Sequence, residues 1–185
     1  MPYLSDRRSF IRNAVLATAG LALVGCDTSS KKKETREPIK PLMILIRGGA
    51  SFLGPPQIAY ALERGHSVST FTRGQTRPTV HADLFDQVEM LIGDRKDNLE
   101  ALKGRTWDLV IDNSGRNVQW TTDTAELLKD NVGLYVYTSS TGEYFPYLNG
   151  DIWEETECAT EVPAGTTDEI EKMEYDYGVM KRNSE

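Results

Sequence analysis

An α/β fold, a doubly wound parallel sheet, is what this 185-residue sequence predicts. Three observations carry the expectation. Short apolar runs alternate with segments of helical spacing from residue 42 onward. The first run is apolar almost throughout, as a strand buried on both faces requires. It leads straight into a glycine-rich turn and a helix start, the context in which such sheets hold phosphate.

The elements follow in order. LMILIR (42–47) is the first strand. GGASFLG forms the turn, and PPQIAYALERG continues as a helix, with Pro55 and Pro56 suited to its start and Gly65 to its end. SVSTFT (67–72) and VEMLIG (88–93) read as the second and third strands. DNLEALKG (97–104) reads as a short helix, with Asp97 or Asn98 as its cap and Gly104 as its stop. DLVID (108–112) is the fourth strand, 117–130 a helix and GLYVYTSS (133–140) the fifth strand. Segment 141–167 is rich in glycine and proline and reads as a loop over the carboxyl edge of the sheet, where ligands bind in such folds. Residues 168–185 read as a last helix. No repeat at solenoid periods is present.

The turn has the form G-x-x-G-x-x-G with its middle glycine replaced. Gly48 permits the tight turn off the strand and Gly54 permits close packing at the helix start, so backbone N–H groups face a diphosphate. Ser51 stands where the backbone would approach that diphosphate most closely, beside Phe52 and Leu53. The stretch RGGASFLGPPQIAYALERGHSVSTFTRG resembles the opening of the extended short-chain dehydrogenase/reductase family, in particular its atypical group of NAD-dependent epimerases and dehydratases. Further landmarks match in order. Asp94 in GDRKD resembles the acidic residue that meets the adenine amine, with Arg95 beside it. DNSG resembles the family's turn against the cofactor, lined by Asn113, Ser114 and Gly115. YTSSTGEYF resembles S-S-x-x-x-Y, and YGVMK resembles Y-x-x-x-K.

The resemblance implies a Rossmann-type sheet binding NAD or NADP over residues 42–185. It implies hydride transfer at a carbinol or carbonyl carbon, with a sugar-like small molecule as the first expected substrate. It makes Tyr177 the proton carrier, Lys181 its tuning and ribose-binding partner, and Ser140 the group that orients the substrate oxygen. Tyr177 and Lys181 are four apart and share one helix face. A free tyrosine titrates near 10, and a neighbouring ammonium favours a phenolate. Ser140 is preferred to Ser139 because it lies four before Tyr144, and Tyr175 has no lysine four residues later. NAD-preferring relatives carry an acidic residue after the second strand. Arg73 stands there instead, which tilts the expectation slightly toward NADP, since a guanidinium can meet a 2′-phosphate. The family also continues past this point with more strands and a substrate domain. The expectation is therefore a sheet truncated before the C-terminal substrate domain. The alternatives are an inactive truncated product, a non-catalytic NAD(P)-binding module and a membrane-tethered scaffold. Many relatives dimerise, which makes a homodimer an expectation too.

The N-terminal 26 residues read separately. DRRSFIR precedes the 11-residue apolar core AVLATAGLALV, a secretory pattern too short to span a membrane as a helix. Arg7, Arg8, Phe10 and Ile11 resemble a twin-arginine export signal, and LVGC resembles a lipobox with Cys26 as the lipidated residue. The expectation is an exported, extracytoplasmic bacterial lipoprotein, tethered to a membrane through Cys26, with 27–41 as a flexible linker. Composition narrows the partners. The chain holds 21 basic and 28 acidic side chains. Without residues 1–26, 18 basic and 27 acidic side chains leave a formal charge of −9, a poor match for nucleic acid. Two cysteines and two histidines, in no ligand-like spacing, predict neither a disulfide framework nor a metal site.

Overall fold

The computed structural model describes residues 40–113, 115–147 and 150–185. The leader, Cys26, most of the linker and Ser114 lie outside the described residues. Five strands form one sheet: β1 (Met43–Arg47), β2 (Ser67–Thr72), β3 (Glu89–Ile92), β4 (Trp107–Asp112) and β5 (Val132–Tyr137). Every pairing is parallel and the order is β3-β2-β1-β4-β5. The chain leaves β1 toward β2 on one side and returns to β4 on the other. The carboxyl ends of β1 and β4 thus bound the crevice where the strand order reverses, the place such sheets use for ligands. The fold class expected from the sequence is the one observed.

Helices α1 (Gly54–Glu63), α2 (Val118–Leu128) and α3 (Glu169–Asn183) connect and flank the sheet. Two apolar clusters cover its two faces. Leu45, Phe71, Leu91, Val110 and Trp107 meet Leu102 and, from α2, Leu128. Ile44, Ile46, Val68 and Val88 meet Ile58 and Ala61 of α1. Burying each large aliphatic side chain stabilises the fold by about 1.5–3 kcal/mol, so this alternation of faces along β1 is what fixes the strand in place.

The helix ends follow local chemistry. Proline occupies the first turn of α1, where no intrahelical N–H is needed, and Gly65 takes φ 78° just past its end. Asn117 caps α2 by accepting from Gln119 N at 2.9 Å. Asp168 caps α3 by accepting from Ile170 N and Glu171 N at 3.0 and 2.8 Å. Segment 97–104 departs from the expected helix. It is a single 3₁₀ turn at Glu100–Leu102, while Asp94 and Asn98 pair as an isolated antiparallel bridge and take up the backbone groups a longer helix would need. Two more 3₁₀ turns lie at Ala82–Gln87 and Thr141–Tyr144.

Arg47 breaks the apolar reading of the first strand at its last residue. It is 1% exposed and paired with Asp112, itself fully buried at the same level of β4. Tyr135 Oη donates to Asp112 at 2.7 Å, while Arg47 donates to Tyr135 Oη at 3.1 Å and to the Trp120 carbonyl at 3.4 Å. Burial first, then the Asp112 charge, pushes the Tyr135 phenol well above its ordinary range.

Candidate active site

The glycine turn sets the geometry. Gly48 leaves β1 at φ 75°, a backbone region that favours glycine. Ser51 N donates back to Gly48 O at 3.2 Å, and Gly54 N to Ser51 O at 2.9 Å. A Cβ on Gly54 would sit 2.0 Å from Gly49 O, so only glycine lets α1 start this close to the turn. Gln57 of α1 and Asn113 at the end of β4 exchange amide hydrogen bonds of 2.6 and 3.4 Å, and Thr138 Oγ1 donates to Asn113 at 2.8 Å. Asn113 therefore ties α1, β4 and the end of β5 together.

A cleft of about 800 Å³ opens above these strand ends. It brings together Gly48, Ser51, Phe52, Leu53, Asn113 and Gly115 with Ser140, Tyr177 and Lys181. Gly54 is buried beneath it rather than lining it. A second cavity of about 70 Å³ shares Gly48 and Ser51 with the first and adds Arg73 and Arg95. The two cavities meet at the glycine turn, as an elongated ligand crossing that turn requires. Asp94 lines neither; its carboxylate accepts from Lys96 N at 3.0 Å within its own loop.

The three proposed chemical residues are held by different means. Lys181 is 6% exposed, and its ammonium donates to the Thr138 carbonyl at 2.9 Å. That ammonium lies 4.8 Å from the centroid of the Tyr137 ring and 5.9 Å from that of Tyr177. One donor is used, leaving two for a ligand. Ser140 Oγ accepts from Gly142 N at 3.2 Å, capping the 3₁₀ turn and leaving its own O–H to donate. Tyr177 is 43% exposed and faces the cleft. Its ring packs on Gly142, where a Cβ would come within 2.8 Å of the ring edge. Gly178 meets Gly142 O just as closely, 2.5 Å from the position of an added Cβ. Two glycines thus let α3 touch the turn that carries Ser140. Tyr175, the competing tyrosine, is engaged elsewhere, edge-on to Phe145 with ring centroids 4.8 Å apart.

Sequence reasoning missed Thr138, Arg116, Asp176 and Met180 in the cleft wall. No motif marks them; only their neighbours in the chain, Ser139, Gly115, Tyr177 and Lys181, could have drawn attention there. No group of histidine, cysteine, aspartate and glutamate that could hold a metal occurs among the described residues.

With this geometry in hand, the comparisons with known proteins bear on the fold. No family model matches the chain. It is similar to the chloroplast stem-loop binding protein of 41 kDa b from Arabidopsis thaliana, 32% identical over 121 residues, which are 59% of this chain and 31% of that protein. Among solved structures it resembles vestitone reductase from alfalfa, at 18% identity and TM-score 0.58, over 77% of this chain and 51% of that one. It also resembles UDP-glucose 4-epimerase from Bifidobacterium longum in complex with NAD+ and UDP, at 21% identity and TM-score 0.57, over 77% and 46% of the two chains. A UDP-Glc/GlcNAc 4-epimerase from Campylobacter jejuni gives TM-score 0.60 at 18% identity, over 77% and 46%. The chain shares the Rossmann-type fold of these reductases and epimerases. It spans about half the length of the solved structures and about a third of the length of the curated relative it matches.

Proposed function

We propose that the chain carries the cofactor half of an NAD(P)-dependent oxidoreductase or epimerase/dehydratase of the extended short-chain dehydrogenase/reductase type. The convergence of Ser140, Tyr177 and Lys181 on one cleft, floored by the glycine turn, carries this reading. The residues fit a dinucleotide: a cradle that a Cβ on Gly54 would close, backbone N–H groups at the start of α1, and two cavities joined at Gly48 and Ser51. When bound, the nicotinamide ring supplies the hydride or accepts it.

The chain's own residues do the rest. Ser140 donates its free O–H to the substrate oxygen and holds it in place. Tyr177 exchanges a proton with that oxygen across the open side of the cleft. Lys181 presents its remaining donors toward Tyr177 and the ribose hydroxyls. A sugar-like substrate is the first expectation, and the formal charge of −9 without residues 1–26 supports a small molecule over nucleic acid. Export by a twin-arginine leader and a lipid at Cys26 belong to the same proposal; Cys26→Ser should release the chain from the membrane fraction.

Calorimetry with NADH and NADPH tests the binding reading, and at least one should bind. Silence with both would overturn it. Tyr177→Phe should keep that binding while lowering turnover, assayed with UDP-galactose and a panel of carbonyl compounds, by roughly 10²–10⁴-fold. Full activity in that variant would remove Tyr177 from the chemistry.

A further inference from the structure

Tyr137 ends β5, and the chemistry proposed above gives it no part. Lys181 and Gly115 line the cleft; Tyr137 does not, and its side chain reaches both of them from behind. The Lys181 ammonium lies over the Tyr137 ring, 4.8 Å from its centroid, against 5.9 Å for the Tyr177 ring. At that distance the negative face of a ring attracts a cation, and more strongly where water is excluded. Lys181 is 6% exposed, so the contact is a desolvated one. An ammonium on a flexible four-carbon stem is placed only by what it touches. Its other anchor is the Thr138 carbonyl at 2.9 Å, so two consecutive residues at the end of β5 hold one charged group.

The far end of the ring is pinned. A Cβ on Gly115 would come within 2.5 Å of Tyr137 Oη and of Cε2, so the tip of the ring lies against bare backbone there. Tyr137 Oη is buried and has no hydrogen-bond partner among the described residues. A buried hydroxyl left unpaired is a cost that phenylalanine avoids. Hydrogen bonding therefore does not account for the ring at this place; its face and its reach do. Tyr135, two residues earlier on the same face of the strand, is engaged by contrast through its hydroxyl, with Asp112 and Arg47.

We infer that Tyr137 is a positioning residue: its ring, wedged between Gly115 and Lys181, sets where the Lys181 ammonium stands in the cleft. The inference rests on the dinucleotide reading above for what that ammonium does, and deepens it by naming what holds it.

Two measurements on the 185-residue chain test this. Nuclear magnetic resonance of the 15N-labelled lysine ammonium groups, in mildly acidic buffer where their protons exchange slowly, needs no cofactor. Protons over a ring face are shielded. The Lys181 resonance, assigned by its loss in Lys181→Met, should therefore lie upfield of those of exposed lysines. The shift should persist in Tyr137→Phe and largely vanish in Tyr137→Leu. Calorimetry with NADH and NADPH reads the consequence. Tyr137→Leu should weaken whichever dinucleotide binds by about 5- to 30-fold, and Tyr137→Phe should recover most of that loss. In the Lys181→Met background, Tyr137→Leu should cost less than about twofold, since the ring acts through the ammonium.

Equal loss with and without Lys181 would mark a general packing role and overturn the inference. So would unchanged affinity in Tyr137→Leu, or a Tyr137→Phe variant as weak as Tyr137→Leu, which would assign the effect to the hydroxyl. If Tyr137→Leu fails to fold, the wild-type and Tyr137→Phe spectra decide: an upfield Lys181 resonance in both upholds the positioning role, and an unshifted one overturns it. If neither dinucleotide binds, the dinucleotide reading falls and the same spectra decide whether the ring holds the ammonium.

Discussion

Replacing Asp112 by asparagine isolates the energetics of the ion pair beneath the site. Asp112 is fully buried and Arg47 1% exposed, so solvent screens the pair little. The substitution keeps the shape of the side chain and removes the charge. Arg47 would then face only neutral acceptors, Tyr135 Oη and the Trp120 carbonyl, while its Nε already has no hydrogen-bond partner among the described residues. Breaking a buried pair by removing one charge costs about 3–5 kcal/mol. For a chain of this size that corresponds to a fall in Tm of roughly 6–20 °C. Urea denaturation of wild type and Asp112→Asn, followed by circular dichroism, reads the loss as a lower midpoint at unchanged slope. The triple change Arg47→Met, Asp112→Leu, Tyr135→Phe removes both charges and the phenol hydroxyl at once and should return to within about 2 kcal/mol of wild type, since apolar packing often replaces such pairs without loss. A cost below about 1 kcal/mol for Asp112→Asn would show that the buried charge is compensated in some other way, and the reasoning would fail.

Other outcomes follow from the same geometry. Gly54→Ala places a Cβ 2.0 Å from Gly49 O, so the turn must open; dinucleotide binding in calorimetry should drop at least about tenfold, and wild-type affinity in the variant would mean the turn has slack. Tyr135 holds its proton above the ordinary tyrosine range when folded, so its contribution to stability is complete below about pH 10 and declines as pH rises through the unfolded value toward the folded one. Tyr135→Phe should flatten that alkaline decline in a series of thermal melts, and an identical decline in both proteins would assign the effect to other groups.

Local patterns reach some of these features and not others. The central strand shows in the sequence because a strand covered on both faces must be apolar on both, and β1 carries that pattern from Ile44 to Ile46. Glycine and proline mark both ends of α1 for reasons of backbone geometry alone. Tyr177 is separable from Tyr175 because helical spacing pairs it with Lys181, and the structure finds Tyr175 packed on Phe145. Segment 97–104 misleads because its few apolar residues suit a helix, while the Asp94–Asn98 bridge takes up the backbone. Arg47 is hidden for another reason. Its partner Asp112 is 65 residues away, and no local period can reveal a contact that only the strand order creates. The approach of the Arg95 guanidinium to the Trp120 ring, 5.7 Å from its centroid, is equally non-local.

The contact between Gly142 and Gly178 has a consequence for how the site can evolve. Helix α3 meets the Ser140 turn at two glycines: Gly178 lies against the Gly142 carbonyl, and the Tyr177 ring lies against Gly142 itself. The spacing between Tyr177 and Ser140 is therefore set where neither chain carries a Cβ, a gauge with no adjustable part. A single methyl at either position would push the two groups apart while leaving both apolar clusters untouched. On the proposed function, such a chain would keep its glycine turn and lose the alignment that proton transfer needs. Drift at these two glycines would, on the same proposed function, separate cofactor binding from catalysis in one step.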